Sequence, residues 1–128
     1  MKHPNAAALE AIYKPFIAGD AAGVLALCEP NVTFQIMGKS PLAGKYDAKD
    51  LSKLLTNLRE FSGGSYRLET HDVMASDQHA VALCSEFVTK AGKPEQMRMA
   101  HVWRFQNGKP VAWYSYPRDL YQFDAIWG

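Results

Sequence analysis

The 128-residue sequence has no excess of charge of either sign. Lys and Arg number 14, and Asp and Glu number 13, so the net charge is +1 at pH 7. Proteins that bind nucleic acid broadly present a basic stripe, and we therefore expect no nucleic-acid partner. Apolar runs are short, and none approaches the roughly 20 residues that span a bilayer. The first residues, which include Pro4 and Glu10, are not typical of a signal peptide, so we expect no membrane association.

Cysteine is scarce, and Cys28 and Cys84 are the only two. Neither lies at metal-ligand spacing from another cysteine or a histidine, and no two of the four histidines do. Phosphate loops, dinucleotide fingerprints and nucleophile elbows are missing as well. The sequence therefore predicts neither a metal nor a cofactor. We expect both thiols to be buried and reduced in a cytoplasmic protein.

The remaining composition is that of an ordinary globular domain, with 48% hydrophobic and 21% charged residues. The length fits one domain, and neither repeats nor linkers divide it. We therefore predict a single domain over residues 1–128. Aromatic residues make up 12% of the sequence, which suits an apolar pocket or simply a large core.

Helical periodicity dominates the first half of the sequence. One helix is predicted over 6–18, capped by Asn5 and ended by Gly19. A second, short helix begins after Asp20. A third helix is predicted over 48–61, and its apolar positions are Leu51, Leu54, Leu55, Leu58 and Phe61.

Strand patterns occupy the rest of the chain. Residues 31–37 alternate, with Phe34 on one face and Gln35 on the other, and 38–46 are predicted to form a loop. Because the dipeptide Asn107-Gly108 is a strong hairpin signal, the second half is predicted to be an antiparallel meander of four strands, at 65–75, 79–89, 95–106 and 109–116. Segregated helices and strands indicate an α+β fold. We expect a strongly curved sheet whose concave face, covered by helices, encloses a pocket.

This order of elements resembles the nuclear transport factor 2-like superfamily, as do the segments AGD at 18–20, NVTFQIMG at 31–38 and HVWRFQNGKPV at 101–111. The superfamily includes steroid delta-isomerases, SnoaL-type polyketide cyclases and limonene epoxide hydrolases. The resemblance implies a cone-shaped, cystatin-like roll and a SnoaL-like domain that usually forms a homodimer through the outer face of its sheet. The fold hosts many chemistries, so the resemblance is weak for the activity.

His101 is the strongest candidate for chemistry. It is the only strongly polar side chain on a strand face shared with Met99 and Trp103, where an imidazole could bind a substrate oxygen. The alternative is a core histidine that is hydrogen-bonded to a neighbour. In steroid isomerases the matching segment reads D-V-x-R-F, and its protonated Asp donates to an oxyanion. The resemblance implies that His101 takes that position here.

The other isomerase groups are not matched. The resemblance puts Gln35 at the position of the catalytic base, and an amide cannot accept a proton at neutral pH, although it can orient a substrate. The position of the isomerase tyrosine falls on Ile12, with Tyr13 rotated by about 100° around the helix. We therefore do not predict steroid isomerisation by that mechanism.

The end of the last strand offers a further candidate. In SnoaL-type cyclases an acidic residue there acts at the pocket, and the resemblance implies that Asp119 is its counterpart. The alternative is that Asp119 caps a short helix in the tail. The catalytic candidates are thus His101, Asp119 and Gln35. The predicted pocket-lining residues are Tyr13, Phe16, Leu58, Met99, Trp103, Trp113 and Ser115.

Three functional hypotheses follow from these residues. The first is a cofactor-free isomerase, cyclase or hydratase that acts on a small hydrophobic carbonyl compound. The second is a protein that binds such a ligand without turnover. The third is a dimerisation module whose sheet face carries the function.

Overall fold

A computed structural model describes residues 2–128. Those residues form one curved, unclosed sheet of six strands in the order β2-β1-β6-β5-β4-β3, together with four α-helices. The helices are α1 (Pro4–Ile17), α2 (Ala21–Leu25), α3 (Leu51–Phe61) and α4 (Leu120–Trp127), and the strands are β1 (Thr33–Ile36), β2 (Gly44–Asp47), β3 (Arg67–Ala75), β4 (His79–Lys90), β5 (Lys93–Gln106) and β6 (Lys109–Pro117). The predicted α+β class is confirmed.

The meander of strands β3 to β6 follows the sequence signals closely. Neighbouring strands pair antiparallel throughout it, and β1 joins its edge by pairing parallel with β6. The turns that connect β4 to β5 and β5 to β6 each place two residues in the left-handed region. Their φ values are 51° and 77° at Ala91-Gly92, and 55° and 78° at Asn107-Gly108. Such turns match the right-handed twist of the strands they join.

The start of α1 differs from the prediction. His3, and not Asn5, is the cap, because its Nδ1 accepts from the backbone N–H of Asn5 at 3.0 Å. The Asn5 amide instead donates to the carbonyl oxygens of Ser76 and Asp77 at 3.0 and 3.1 Å. A tertiary contact with the turn after β3 therefore replaces the local capping role of Asn5.

Two further predictions in the first half were wrong. The segment predicted as a loop contains all but the last residue of β2, whose side chains are mostly exposed and which is ordered by pairing antiparallel with β1. Phe61 is 49% exposed, whereas the four leucines predicted with it on α3 are buried. The α-helix itself begins at Leu51, after a 3₁₀ turn over Ala48–Asp50.

The core lies on the concave face of the sheet, which we call the interior face. On β5 this face presents every second residue from Met97 to Phe105, and all of them are buried. Helices α1, α3 and α4 pack further buried side chains against this face. Cys28 and Cys84 are buried and free, as predicted. Within residues 2–128, no helix has the length and apolar character needed to cross a membrane.

Candidate functional site

Three buried aromatic side chains surround His101, and we call the group of four the His101 cluster: Tyr13, His101, Trp103 and Trp113. His101 is 0% exposed, and its Nδ1 lies 2.7 Å from the hydroxyl oxygen of Tyr13. Trp103 donates its indole N–H to the same oxygen at 3.1 Å. Strand alternation places His101 and Trp103 on one face of β5, and α1 lays Tyr13 across them. The interior position predicted for His101 is confirmed.

The hydrogen-bond partners of His101 indicate which of its ring nitrogens carries the proton. Burial lowers the pKa of His101 to about 3, so the ring is neutral and carries one N–H. If Tyr13 donates to Nδ1, only the His101 Nε2–H is left unpaired. If Nδ1 donates instead, both the Tyr13 hydroxyl hydrogen and the Nε2 lone pair are unpaired. The first arrangement is therefore favoured, and it makes His101 a neutral N–H donor.

Trp113 provides a second donor beside the first. Its ring meets that of His101 edge to face, with centroids 5.0 Å apart. The Trp113 Nε1 and the His101 Nε2 are buried and have no hydrogen-bond partner among residues 2–128. A buried unpaired polar group costs about 1–3 kcal/mol, so a ligand oxygen that accepts from both would be bound favourably. N–H donors placed at a developing oxyanion are also what stabilises charge on a carbonyl oxygen during acyl or enolate chemistry.

A second polar group, the Glu86 cluster, consists of Tyr66, Glu86 and Trp127. Glu86 is 4% exposed, and its Oε2 accepts from the Tyr66 hydroxyl at 2.6 Å. The Tyr66 ring packs against Trp127 with centroids 5.9 Å apart. Burial raises the pKa of Glu86 to about 7, while the hydrogen bond from Tyr66 opposes that rise. Glu86 Oε1 and Trp127 Nε1 are buried without a partner in the described part of the chain.

Sequence reasoning missed Glu86, although a signal for it was present. On β4 the buried alternate positions are occupied by Ala80, Ala82, Cys84, Glu86 and Val88. Glu86 interrupts an otherwise small or apolar series, just as His101 interrupts the series on β5. A carboxylate in such a position has two explanations: either it is buried, or the strand is shifted by one residue so that this face is exposed. The structure shows that it is buried.

The two clusters are neighbours on the interior face. Cys84 lies two residues before Glu86 on β4, and its Sγ is 3.6 Å from His101 Nδ1. Two residues along a strand span roughly 7 Å, so a ligand of one or two rings has the length to reach both clusters. Burial raises the pKa of the Cys84 thiol, and the thiol is therefore neutral.

An opening leads from the surface toward the Glu86 cluster. It is a pocket of about 170 Å³ between the end of α1 and α3, and its apolar wall is formed by Phe16, Leu55, Leu58 and Tyr66. At its rim, Arg59 donates to the carbonyl oxygen of Ala18 at 3.0 Å. Tyr66 lines the pocket and also holds Glu86, so it connects the opening to the interior carboxyl group.

The structure separates the predicted site residues into two sets. All seven predicted lining residues are buried, and Ser115 and Met99 flank His101 on the interior face. Gln35 does not join them. It pairs with Tyr114 on the opposite face, because its neighbours Phe34 and Ile36 take the buried positions of β1. The interior placement predicted for Gln35 is therefore wrong.

Asp119 lies outside the interior as well. It is exposed, and its Oδ1 accepts from the backbone N–H of Gln122 at 3.1 Å, which makes it the cap of α4. This is the alternative that the sequence left open for Asp119. The buried carboxyl group of the interior is that of Glu86.

The class of protein follows from this architecture, in which helices cover the concave face of a curved, unclosed sheet and polar groups lie within an aromatic interior. It is the nuclear transport factor 2-like class, and solved neighbours of this chain are described as NTF2-like or as having a cystatin-like fold. Within that class, the chain belongs to the SnoaL-like domain family, whose model matches residues 9–113. The resemblance predicted from the sequence is confirmed.

Solved structures match nearly the whole chain. Bal32a, from a soil-derived mobile gene cassette, is 22% identical, with a TM-score of 0.87 over 98% of this chain and 97% of its own. TerC, co-crystallised with polyporic acid, is 22% identical, with a TM-score of 0.83 over 97% and 98%. IdmH from Streptomyces antibioticus, a protein proposed to be a polyketide cyclase, is 15% identical, with a TM-score of 0.72 over 91% and 93%. These identities establish the fold alone. No curated protein matches the sequence.

Proposed function

We propose that the protein binds a small, mostly apolar carbonyl compound at the interior face of its sheet and carries out cofactor-free acid–base chemistry on it. One observation carries the proposal: the contacting rings of His101 and Trp113 each have a buried ring nitrogen, Nε2 and Nε1, without a partner among the described residues. A carbonyl oxygen has two lone pairs and accepts from both donors at once. Isomerisation, cyclisation and hydration all develop negative charge on such an oxygen.

The surroundings of the donors favour a neutral, ring-bearing ligand. Phe16 and Phe34 both pack against Trp113, with ring centroids 5.6 and 6.0 Å from its own. The imidazole is neutral, so it does not attract an anion as a charged group would. Aromatic walls with a few placed polar groups are typical of pockets for small apolar molecules.

A second candidate function is binding without turnover. His101 cannot be the base at neutral pH, because a group whose pKa is about 3 holds a proton too weakly. Gln35 and Asp119 lie away from the interior. If no other residue transfers a proton, the same donors would hold a ligand without converting it.

Calorimetric titration with a matched pair of ligands tests the binding proposal. 1-Tetralone is a bicyclic ketone, and tetralin is the same ring system without the oxygen. We expect the wild-type protein to bind the ketone roughly 30-fold more tightly, since a hydrogen bond contributes about 1 kcal/mol and two donors are available. His101→Leu leaves only the Trp113 donor, so it should reduce this preference to about fivefold while still binding tetralin.

The control for this experiment is His79→Leu, which changes an exposed histidine on β4. It should keep the preference for the ketone. Equal affinities of the wild-type protein for the two ligands, or an undiminished preference in His101→Leu, would contradict the proposal.

We also propose that the protein is a homodimer that pairs through the outer face of its sheet. Leu83, Ala100 and Tyr116 are neighbours there on three adjacent strands, and Leu83 and Tyr116 are 42% and 43% exposed. They line a concavity of about 440 Å³. Contiguous exposed apolar surface of this kind marks interaction sites.

The two reduced cysteines agree with a cytoplasmic location, which stays a prediction.

A further inference from the structure

Glu86 is a buried acid to which the binding proposal assigns no role. Its two carboxyl oxygens are in different situations. Oε2 is held by the Tyr66 hydroxyl at 2.6 Å, whereas Oε1 is buried with no partner among residues 2–128. A carboxyl group that is fixed through one oxygen and unpaired at the other is oriented for a further hydrogen bond or a proton transfer.

We infer that Glu86 is the catalytic acid–base residue of the interior, that it exchanges a proton with a carbon next to the ligand's carbonyl group, and that Tyr66 positions it. This inference rests on the proposed function. It goes beyond that function by naming the group that moves the proton and by separating it from the donors that hold the oxygen.

The reaction step balances with the groups present. The ionised Glu86 removes a proton from the carbon next to the carbonyl, and the electrons of that C–H bond form a carbon–carbon double bond. The π electrons of the carbonyl group move to its oxygen, which accepts hydrogen bonds from His101 and Trp113. Return of the proton from Glu86 to carbon restores the ketone, or delivers an isomer if another carbon receives it. The step requires no oxidant, reductant or second substrate.

The groups around Glu86 leave it free to cycle between its two protonation states. Tyr66, Cys84 and Tyr13 are the titratable side chains whose charge is coupled to it, and burial raises the pKa of all three, so they are neutral. The residue opposite Glu86 on β5 is Met97.

Cations do not neutralise Glu86 in the described part of the chain, where the four ion pairs all involve other residues. Tyr66, which holds Glu86, packs against Trp127 of α4. Burial therefore holds the pKa of Glu86 at about 7, near the value that suits proton transfer at neutral pH.

Deuterium exchange into 1-tetralone tests the inference directly. In D2O, the proton on Glu86 exchanges with solvent, so each cycle of removal and return places deuterium on the carbon next to the carbonyl. Mass spectrometry or proton NMR measures the incorporation. We expect exchange above the buffer rate with the wild-type protein, and a loss of about 100-fold or more in Glu86→Gln, since a general base contributes about 10²–10⁴-fold.

The matched control is Glu60→Gln, which removes an exposed carboxylate from α3 and should exchange like the wild-type protein. Calorimetry on the same samples reports binding separately. If Glu86→Gln binds 1-tetralone but retains wild-type exchange, or if the wild-type protein binds it without exchange, the role of Glu86 is overturned and the binding proposal stands. If 1-tetralone does not bind to the wild-type protein, the proposed function fails, and this inference fails with it.

The pH profile distinguishes positioning by Tyr66 from simple packing. Exchange should rise with pH as Glu86 ionises, with a midpoint near its pKa of about 7. The Tyr66 hydroxyl stabilises the ionised form, so Tyr66→Phe should move the midpoint to higher pH as well as slow the exchange. Tyr46→Phe, which removes a hydroxyl bonded to the Leu42 carbonyl oxygen, is the control and should leave the midpoint in place. An unmoved midpoint in Tyr66→Phe would overturn the positioning role.

Discussion

Glu86 and His101 respond to burial in opposite senses. The pKa of Glu86 rises from 4.5 to about 7, and that of His101 falls from 6.5 to about 3. Of these two residues, only Glu86 holds its proton in the folded chain between pH 4.5 and 6.5, and only His101 holds its proton in the unfolded chain. The proton counts are equal, so these two residues together leave the free energy of unfolding independent of pH in this range.

Glu86→Gln should remove the contribution of Glu86 and leave that of His101 uncompensated. In the same pH range the unfolded variant binds one more proton than the folded variant, because only His101 still titrates. Relative to the wild-type protein, its free energy of unfolding should therefore fall by about 1.4 kcal/mol for each unit of acidification. Above pH 7 the wild-type protein ionises Glu86 in a buried site, and the variant should be the more stable of the two.

Urea denaturation of both proteins from pH 4.5 to 8 measures this difference. The contribution of all other groups cancels in the comparison, since it is common to both proteins. Free energies of unfolding that run parallel across the range would show that the pKa of Glu86 is not raised in the folded protein.

At the scale of elements, α4 is attached to the sheet at both of its ends. Asp119 caps the first turn, and Lys90 Nζ donates to two carbonyl oxygens of the last turn at 2.9 and 3.0 Å. The Gln122 amide donates to the carbonyl oxygen of Gln96 at 3.1 Å. These contacts hold Trp127 beside the Glu86 cluster, so α4 contributes to the site through its position.

Substitutions at Asp119 separate capping from acid chemistry. Asp119→Ala should lower the free energy of unfolding by about 1 kcal/mol, because the N–H of Gln122 loses its acceptor. Asp119→Asn keeps an acceptor oxygen and removes only the acid, so its stability should stay within a few tenths of a kcal/mol of wild type. Urea denaturation at pH 7 distinguishes them. An Asn variant as unstable as the Ala variant would mean that the charge, and not the cap, is what matters.

The elements also show which local patterns suffice. The hairpins of β4 to β6 were predictable, since left-handed residues at Asn107-Gly108 and alternation on the strands are local properties. The short strand β2 was not, because its mostly exposed side chains alternate too weakly and its order comes from β1. Phe61 has helical spacing with the buried leucines of α3, yet it lies on the last turn, beyond the edge of the core.

At the scale of the whole molecule, the outer face of the sheet predicts a dimer. Sedimentation equilibrium at micromolar concentration should give twice the mass of one chain, and Leu83→Lys should shift it toward the monomer by placing a charge in the apolar interface. Leu27→Lys is the matched control, because Leu27 is 40% exposed and follows α2, outside the strands that form this face. A monomeric wild-type protein, or a Leu83→Lys protein that is still fully dimeric, would contradict this interface.

Much of the candidate site could also be predicted from the sequence. Alternation on β5 placed His101 beside Trp103, and the same reasoning applied to β4 would have placed Glu86 inside. Alternation on β1 put Gln35 on the face opposite Phe34, whereas the family register put it at the catalytic position. The alternation was correct, because burial of Phe34 and Ile36 fixes the orientation of the strand.

By itself, the sequence determined the α+β class, the four-stranded meander and most of the residues that face the interior. These follow from periodicity and turn chemistry, which act between residues close together along the chain. Only the tertiary structure decided that Tyr13 from α1 meets His101 from β5, and that Tyr66 holds one oxygen of Glu86 and leaves the other unpaired. Those contacts, and the pKa shifts that burial imposes, depend on residues 20 to 88 positions apart, and no local pattern records them.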